Sequence, residues 1–271
     1  MLAKITRITT QKKHKDRFNI FLDDGNGEKY GFSVDEAILV EYRLRKHLDL
    51  DDATIIALVQ KDTLHKSYTL AINFLSYRMR TKKEIRDYLV QKEADEEHIA
   101  QIMDKLKAER LIDDKQFAHS FVRTRLHTSS KGPLLVKQEL LQKGVDDPIA
   151  GEAIAMYTFD IQFEKAAKLA RKKLGSSSKK SFRQQVQQLQ GTLMQKGFAS
   201  DVVREVTAEL QEEKDDDAEW EALVKQGEKA LRKQQQKHSG LELEQKVKEA
   251  LYRKGFTIDL INAFLDQNVR D

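Results

Sequence analysis

The sequence predicts a mainly α-helical protein in which three-helix repeats follow one another, preceded by a small antiparallel β element. A phrase of the form Leu-x-x-Lys-Gly-apolar recurs at Lys143, Lys196 and Lys254, with a weaker copy at Lys92. Recurrence at this near-constant spacing is typical of stacked units of one supersecondary type. Apolar residues also stand seven before and seven after each lysine, which is a helical spacing. Because one such repeat buries little core alone, we expect stacked repeats in an elongated, curved array.

The chain begins with strand signals. Leu2–Thr9 and Arg17–Leu22 alternate between apolar and polar residues, Asp23–Gly27 has turn chemistry, and Lys29–Phe32 follows it. We therefore predict two or three antiparallel strands, which must pack on a helix to be stable. Ser33–Glu36 reads as a capping box that begins this helix, and only helices are expected beyond it.

Capping residues then place the starts of helices. We expect a helix from Asp51 to about Tyr77, broken near Thr63, and a second that opens with the capping box Thr81–Glu84. Further on, Asp113 or Asp114 should cap a helix, and the Gly132-Pro133 pair should begin another. The predicted domains are the N-terminal β element with its helix at 1–50 and four three-helix repeats at 51–110, 111–159, 160–214 and 215–271.

Glycine after a run of helix formers indicates a left-handed residue that closes a helix. In this Schellman closure Leu193 should pack on Phe198, and Leu251 on Phe256. Glu93 replaces the glycine in the first repeat, so we expect that turn to close differently. Structural caps are predicted at Gly144, Gly197 and Gly255.

Signatures of catalysis are missing from the sequence. It has no cysteine, and none of its seven histidines stands in a metal-binding motif. The segment 175–180 lacks the second glycine and the preceding strand of a phosphate loop. We therefore predict no enzymatic activity, no metal and no cofactor. No apolar run is long enough for a membrane span and the start lacks a signal peptide, so a cytoplasmic protein is expected.

The net charge of +4 is unevenly distributed. Nine basic and no acidic residues lie between Lys165 and Ser200, whereas 212–221 contains seven acids and one lysine. The first twenty residues contain six bases and one acid. This asymmetry indicates a polyanionic partner or a protein of opposite charge. The alternative is a charged helical surface without a partner, and the acidic stretch could equally mimic DNA or space two repeats.

Basic residues cluster beside the corresponding helix junction of successive repeats. A curved array would align the clusters along one face, which suits a phosphate backbone. Few aromatic residues are interleaved, which argues against base stacking. The alternative is that long cationic side chains only cover apolar surface. The predicted contact residues are Arg78, Arg80, Lys82 and Lys83, then Arg123, Arg125, Lys131 and Lys137, then Arg171, Lys172, Lys173, Lys179, Lys180 and Arg183.

Several motifs in order resemble the RecX family of bacterial recombination regulators. They are Arg78–Ile85 with Leu89, then Leu111–Asp114 with Phe117 and Phe121, then Lys131–Pro133 with Lys143–Val145. The resemblance is strongest from about Ala71 to Val145.

The resemblance implies a non-enzymatic, monomeric regulator built of tandem three-helix units. Such proteins bind the RecA recombinase in the groove of its filament on single-stranded DNA and limit strand exchange, ATP hydrolysis and filament growth. It also implies roles in homologous recombination, DNA repair and the SOS response, with double-stranded DNA as a further candidate partner. Two other hypotheses stay open: a helical-repeat protein that binds nucleic acid without RecA, and a scaffold for another helix or tail. Whether the protein inhibits or stimulates its target in the cell is open as well.

Overall fold

The computed structural model describes residues 2–174 and 180–269, which form thirteen helices and one four-stranded sheet. The prediction of a mainly α-helical protein with an N-terminal antiparallel β element is confirmed. The chain divides into two compact units, which are described separately. The first comprises Met1–Phe117 with Lys143–Val145, and the second comprises Ala118–Gln142 with Asp146–Asp271.

The first unit combines the sheet with the helices of the first repeat. The strands are antiparallel neighbours in the order β3-β2-β1-β4. Its elements are β1 Leu2–Thr10, β2 Arg17–Asp23, β3 Glu28–Asp35, α1 Glu36–Glu41, β4 Asp49–Asp51, α2 Asp52–Ser76, α3 Lys82–Gln91 and α4 Glu96–Ala108.

The sheet buries one face against α1 and α2. Strand alternation places Ile5, Ile20 and Val34 in the core, where they are fully buried beside Leu58 of α2. Burial of this face supplies the apolar area that a small four-stranded sheet lacks by itself.

Three details of this unit differ from the sequence-based expectations. The strand β4 was not predicted, because the segment Asp49–Asp51 offers one apolar residue, the buried Leu50, and no alternation to detect. Helix α1 is capped by Asp35, whose carboxylate accepts the amide of Ala37, whereas the predicted cap Ser33 lies within β3. Helix α2 continues unbroken through Thr63.

A buried carboxylate attaches the sheet to α2. Asp62 of α2 is 2 % exposed and accepts two hydrogen bonds from the guanidinium of Arg17 in β2, at 3.2 and 2.7 Å. It also accepts the backbone amide of Asp35 at the end of β3, at 2.8 Å. Burial acts to raise the pKa of Asp62, but the hydrogen bonds from Arg17 and Lys66 outweigh it and lower that pKa. Asp62 therefore fixes both strands on the helix in its charged form.

The second unit consists of helices. A separate apolar cluster surrounds Leu193 and Phe198 in the third repeat, and another surrounds Leu251 and Phe256 in the fourth. Its elements are the greater part of α5 Asp114–Thr128, then α6 Pro133–Gln142, α7 Asp147–Ile154, α8 Phe159–Leu174, α9 Phe182–Gln195, α10 Ser200–Glu212, α11 Asp216–Gln234, α12 Gly240–Arg253 and α13 Ile258–Asn268.

All three Lys-Gly turns place glycine in the left-handed conformation, and those at Gly197 and Gly255 have the hydrogen bonds of a Schellman closure. The φ angles of Gly144, Gly197 and Gly255 are 83°, 81° and 84°. At the second of these turns the amide of Phe198 donates to the carbonyl of Leu193 at 3.2 Å, and the amide of Gly197 donates to Met194 at 2.9 Å. The corresponding bond from Phe256 to Leu251 is 3.4 Å long.

The first repeat closes in the same way, and the expectation of a different closure was wrong. Glu93 has a φ of 58°. The amide of Ala94 donates to Leu89 at 3.1 Å, and the amide of Glu93 donates to Val90 at 2.9 Å. Because Glu93 is exposed, its side chain meets no packing constraint, and the left-handed conformation costs only about 1–2 kcal/mol.

Each Lys-Gly turn is bound by the start of the middle helix of the preceding repeat. In the first unit the hydroxyl of Thr81, which caps α3, donates to the carbonyl of Lys143 at 2.7 Å. In the second unit the hydroxyl of Ser181, which caps α9, donates to the carbonyl of Lys254. Both hydroxyls are fully buried. The turn therefore joins consecutive repeats as well as ending a helix.

A buried carboxylate completes these two junctions. Asp114 accepts the amide of Lys82, the first residue of α3, at 2.9 Å. Glu219 accepts the amide of Phe182, the first residue of α9, at 2.6 Å. Asp113 is accordingly the cap of α5, since its carboxylate accepts the amides of Lys115 and Gln116 in that helix. The carboxylate of Asp114 instead accepts an amide of α3, in the preceding repeat.

The middle junction uses neutral groups. The amide of Gly132 donates to the carbonyl of Lys196 at 2.7 Å, and the first residue of α6 is Pro133, which has no amide hydrogen. Gln162 is the fourth residue of α8 and therefore occupies the position that Glu219 occupies in α11. A carboxylate is unnecessary here because the proline leaves no donor to satisfy.

The glycine at a Lys-Gly turn leaves room for the preceding repeat, which lies where a Cβ atom would be. A Cβ atom on Gly197 would lie 2.7 Å from the backbone nitrogen of Leu135, and one on Gly255 would lie 2.8 Å from the hydroxyl oxygen of Ser181. Positive φ and close approach therefore both require glycine at these turns.

We expect Gly197→Ala to lower the free energy of unfolding by about 1–3 kcal/mol, because it strains the turn and pushes α6 away. The matched control is Gly191→Ala in the interior of α9, where an added Cβ meets nothing within 4 Å. That substitution should leave stability unchanged or raise it by about 0.5–1 kcal/mol. Urea unfolding followed by circular dichroism measures both, and equal effects would contradict the role assigned to the turn.

We expect Glu219→Gln to match or exceed wild-type stability at pH 7, since an amide oxygen can still accept the amide of Phe182. Burial raises the pKa of Glu219 above its ordinary value of 4.5, so the folded state favours the protonated acid. The wild type should therefore gain stability relative to the glutamine variant as pH falls from 7 towards 4.5. Glu219→Ala should lose about 1–3 kcal/mol by leaving the amide unpaired. A glutamine variant as unstable as the alanine variant at pH 7 would refute this account.

Candidate nucleic-acid interface

The first basic cluster lies in the first unit and surrounds Glu84, the third residue of α3. Glu84 completes the predicted capping box with Thr81, and it also accepts hydrogen bonds from Arg78, at 3.0 and 3.1 Å, and from Lys143 at 2.8 Å. Burial acts to raise the pKa of Glu84, but the bonds from Arg78 and Lys143 outweigh it and lower that pKa to about 2. The charges of both cations are therefore largely compensated inside the protein.

The other members of this cluster also have structural contacts. The guanidinium of Arg80 stacks on the ring of Phe74 at 3.9 Å, and Phe74 stacks on Tyr88 with ring centroids 4.0 Å apart. Burial lowers the pKa of Arg80. The ammonium of Lys82 lies 3.9 Å from the carboxylate of Asp114. The side chain of Lys83 lies against Gly144, filling the space that a Cβ there would need.

The second cluster surrounds Glu139 of α6 in the second unit. Its carboxylate accepts hydrogen bonds from Arg125 of α5, at 2.8 Å, and from Lys131. Burial acts to raise the pKa of Glu139, but these two cations outweigh it and lower it. Lys137 pairs with Asp147 at 2.8 Å. Arg123 is the predicted member of this cluster that stays exposed and without an ion pair to the described residues.

A lysine outside the predicted set binds the C-terminal end of α5. The half-buried ammonium of Lys165 donates to the backbone carbonyls of Leu126 and Ser129, the latter at 2.9 Å. It satisfies carbonyls at the C-terminus of α5, where a positive charge is stabilising. Burial lowers its pKa.

The third cluster is the least neutralised of the three. Arg171 pairs with Glu209 of α10 and with Glu213, the residue that follows this helix, but Lys172 and Arg183 are exposed and have no ion pair to the described residues. Two further lysines make neutral contacts: Lys173 with the hydroxyl of Thr192, and Lys180 with the amide oxygen of Gln188 at 2.7 Å. The predicted residue Lys179 lies outside the described residues.

Among the three predicted clusters, uncompensated charge is therefore concentrated on the helices α8 and α9. Lys168, one turn before Lys172 on α8, belongs to the same basic stretch of the sequence and is likewise exposed without an ion pair to the described residues. The i, i+4 spacing places these two lysines on one face of the helix. When exposed cations without partners bind phosphates, they displace the counterions condensed on the nucleic acid. Cations that are already paired with a carboxylate displace fewer of them.

Other kinds of site have no supporting geometry in the described ranges. No group of three or more potential ligand side chains is placed to hold a metal ion in the part of the chain that the structure describes. Across residues 2–174 and 180–269, no helix is long and apolar enough to cross a membrane.

Family models match the chain in order along its length. The model of the RecX regulatory protein N-terminal domain matches residues 3–51, the first three-helix domain matches 68–106, and the second matches 113–154. The third three-helix domain matches twice, at 160–207 and 217–265.

Relatives and solved structures agree with these models. The chain is 56% identical over 272 residues to the regulatory protein RecX of Oceanobacillus iheyensis and 42% identical over 270 residues to that of Bacillus cytotoxicus, with all of each chain covered. A crystal structure of a regulatory protein RecX is 37% identical with a TM-score of 0.65, covering 76% of this chain and 99% of its own. That of RecX from Lactobacillus salivarius is 40% identical with a TM-score of 0.54, covering 56% and 98%.

We expect Glu84→Gln to lower the free energy of unfolding by about 1–3 kcal/mol at pH 7. Glutamine can still complete the capping box, but the ion pairs with Arg78 and Lys143 are lost. Because the pKa of Glu84 is lowered from 4.5 to about 2, its contribution is present above pH 4.5 and is lost as pH falls towards 2.

Urea midpoints of the wild type and the variant between pH 7 and pH 3 measure this contribution. Glu205→Gln, at an exposed position of α10, is the control and should change stability little at any of these pH values. A deficit of Glu84→Gln that stayed constant down to pH 3 would contradict the assignment.

Proposed function

This chain belongs to the RecX family of regulatory proteins, and from that premise we propose that it binds the RecA recombinase and its filament on single-stranded DNA. The proposed effect is inhibition of recombinase, ATPase and strand-exchange activity, without catalysis by the chain itself. The single observation that carries the proposal is the unbroken order of family matches from residue 3 to residue 265. The proposed partners are RecA and single-stranded DNA, with double-stranded DNA as a further one, and the proposed active form is a monomer.

The distribution of charge supports a polyanionic partner and indicates which residues would meet it. Most predicted cations of the first two clusters contact groups within the protein, so their removal would first disturb the fold. The exposed residues Lys168, Lys172 and Arg183 lack such partners in the described chain. We therefore assign the contact with the filament mainly to α8 and α9.

The alternative, a helical-repeat protein that binds nucleic acid without RecA, is favoured by the same exposed cations. The two functions differ in what must be present for binding. A RecA regulator should co-sediment with RecA filaments and change their ATP hydrolysis, whereas the alternative requires steeply salt-dependent binding to bare DNA and no binding to RecA alone.

We expect the wild-type chain to reduce RecA-dependent ATP hydrolysis on single-stranded DNA at stoichiometric ratios. The variant Lys168→Ala, Lys172→Ala, Arg183→Ala should need at least several-fold more protein for the same reduction, because exposed charge is removed without loss of internal contacts. The control with equal charge change is Lys225→Ala, Lys229→Ala, Lys233→Ala on exposed positions of α11.

Two outcomes would contradict the proposal. The first is an unchanged rate of ATP hydrolysis with wild-type protein, which would reject the function. The second is equal weakening by the two triple variants, which would reject α8 and α9 as the contact and leave only a dependence on net charge. Thermal unfolding of both variants confirms that any loss is not a loss of fold.

A further inference from the structure

The loop that joins β1 to β2 has the densest run of bases in the sheet element. It contains Lys12, Lys13, His14 and Lys15, and all four are exposed. None of the three lysines has an ion pair or hydrogen-bonding side-chain partner among the described residues. This loop therefore differs from the first two basic clusters, whose charges are mostly compensated by Glu84, Glu139, Asp114 and Asp147.

The base of the loop is rigidly held. The amide of Gln11 donates to the carbonyl of Arg17 at 2.9 Å, and the amide of Arg17 donates to His14 at 3.1 Å. The side chain of Arg17 is fixed in turn by the buried carboxylate of Asp62 on α2. A loop anchored in this way presents its lysines with little cost of ordering its backbone on binding.

The chemistry of the loop fits phosphates better than a protein surface. Apart from the imidazole of His14, residues 12–16 include no apolar or aromatic side chain that could fill a pocket on a protein partner. Contiguous ammonium groups need only an array of anionic oxygens, which the backbone of a nucleic acid provides. The carboxylate of the adjacent Asp16 forms no ion pair with any of these three lysines.

We propose that Lys12, Lys13 and Lys15 form a second nucleic-acid contact, on the N-terminal sheet, that binds the phosphate backbone without regard to sequence. The inference rests on the proposed function, since DNA is the partner common to both, but it concerns a different surface. Bound there, the three ammonium groups would displace the counterions of up to three phosphates. The predicted signature is the salt dependence of binding rather than any base preference.

The test uses the full chain and one labelled oligonucleotide, in single-stranded and duplex form, with fluorescence anisotropy over a series of NaCl concentrations. The loop variant is Lys12→Ala, Lys13→Ala, Lys15→Ala. The matched control is Lys4→Ala, Lys29→Ala, Lys61→Ala, which removes the same charge from lysines that are already paired with Asp49, Asp24 and Glu41.

We expect the loop variant to reduce the magnitude of the slope of log K against log[salt] by roughly 2–3 on duplex and by about 2 on single strands. The control should change it by less than about 1 on the same basis. Equal reductions in the two variants would overturn the inference, because net charge alone would then explain them. An unchanged slope in the loop variant would also overturn it, and a simultaneous loss of binding to RecA without DNA would assign the loop to a protein partner.

The two proposals fail separately. If the wild-type chain leaves RecA-dependent ATP hydrolysis unchanged while the slopes differ as expected, the proposed function is wrong and the loop contact stands. If ATP hydrolysis is reduced equally by the wild type and the loop variant and the slopes are also equal, the loop contact is wrong and the proposed function stands.

Discussion

The hydrogen bond from the start of one repeat's middle helix to the carbonyl of the next repeat's Lys-Gly turn is the constraint on which the helical architecture depends. It joins the side-chain hydroxyl of a helix N-cap residue to a backbone carbonyl that has no partner within its own helix at a helix C-terminus. Thr81 and Lys143 make this bond in the first unit, and Ser181 and Lys254 make it in the second. Glycine is needed at the turn because atoms of the preceding repeat occupy the space that a Cβ atom would require.

This constraint explains sequence differences between repeats that would otherwise look arbitrary. A buried carboxylate is present where the middle helix begins with a residue that has an amide hydrogen, and a glutamine replaces it where the helix begins with Pro133. Glu93 can stand in the glycine position of the first repeat because it is exposed. The repeats therefore vary at the positions where their local hydrogen-bonding requirements differ.

Charge has two separate roles in this protein. Glu84 and Glu139 each hold two cations from different elements, so these basic residues stabilise the fold. The cations on α8, α9 and the β1–β2 loop that have no such partner remain available to a polyanion. Composition cannot distinguish the two roles, because both use lysine and arginine at similar spacing near helix ends.

The sequence by itself determined the features that depend on neighbouring residues: the period of the repeats, the capping box at Thr81, the glycine turns and three of the four strands. These follow from preferences that act over about one helical turn or one strand pair. Tertiary structure alone decided that β4 joins the sheet and which cations are neutralised. The partners concerned, such as Arg125 with Glu139 and Arg171 with Glu209, are 14 and 38 residues apart, so only the packing of helices brings them within hydrogen-bonding distance.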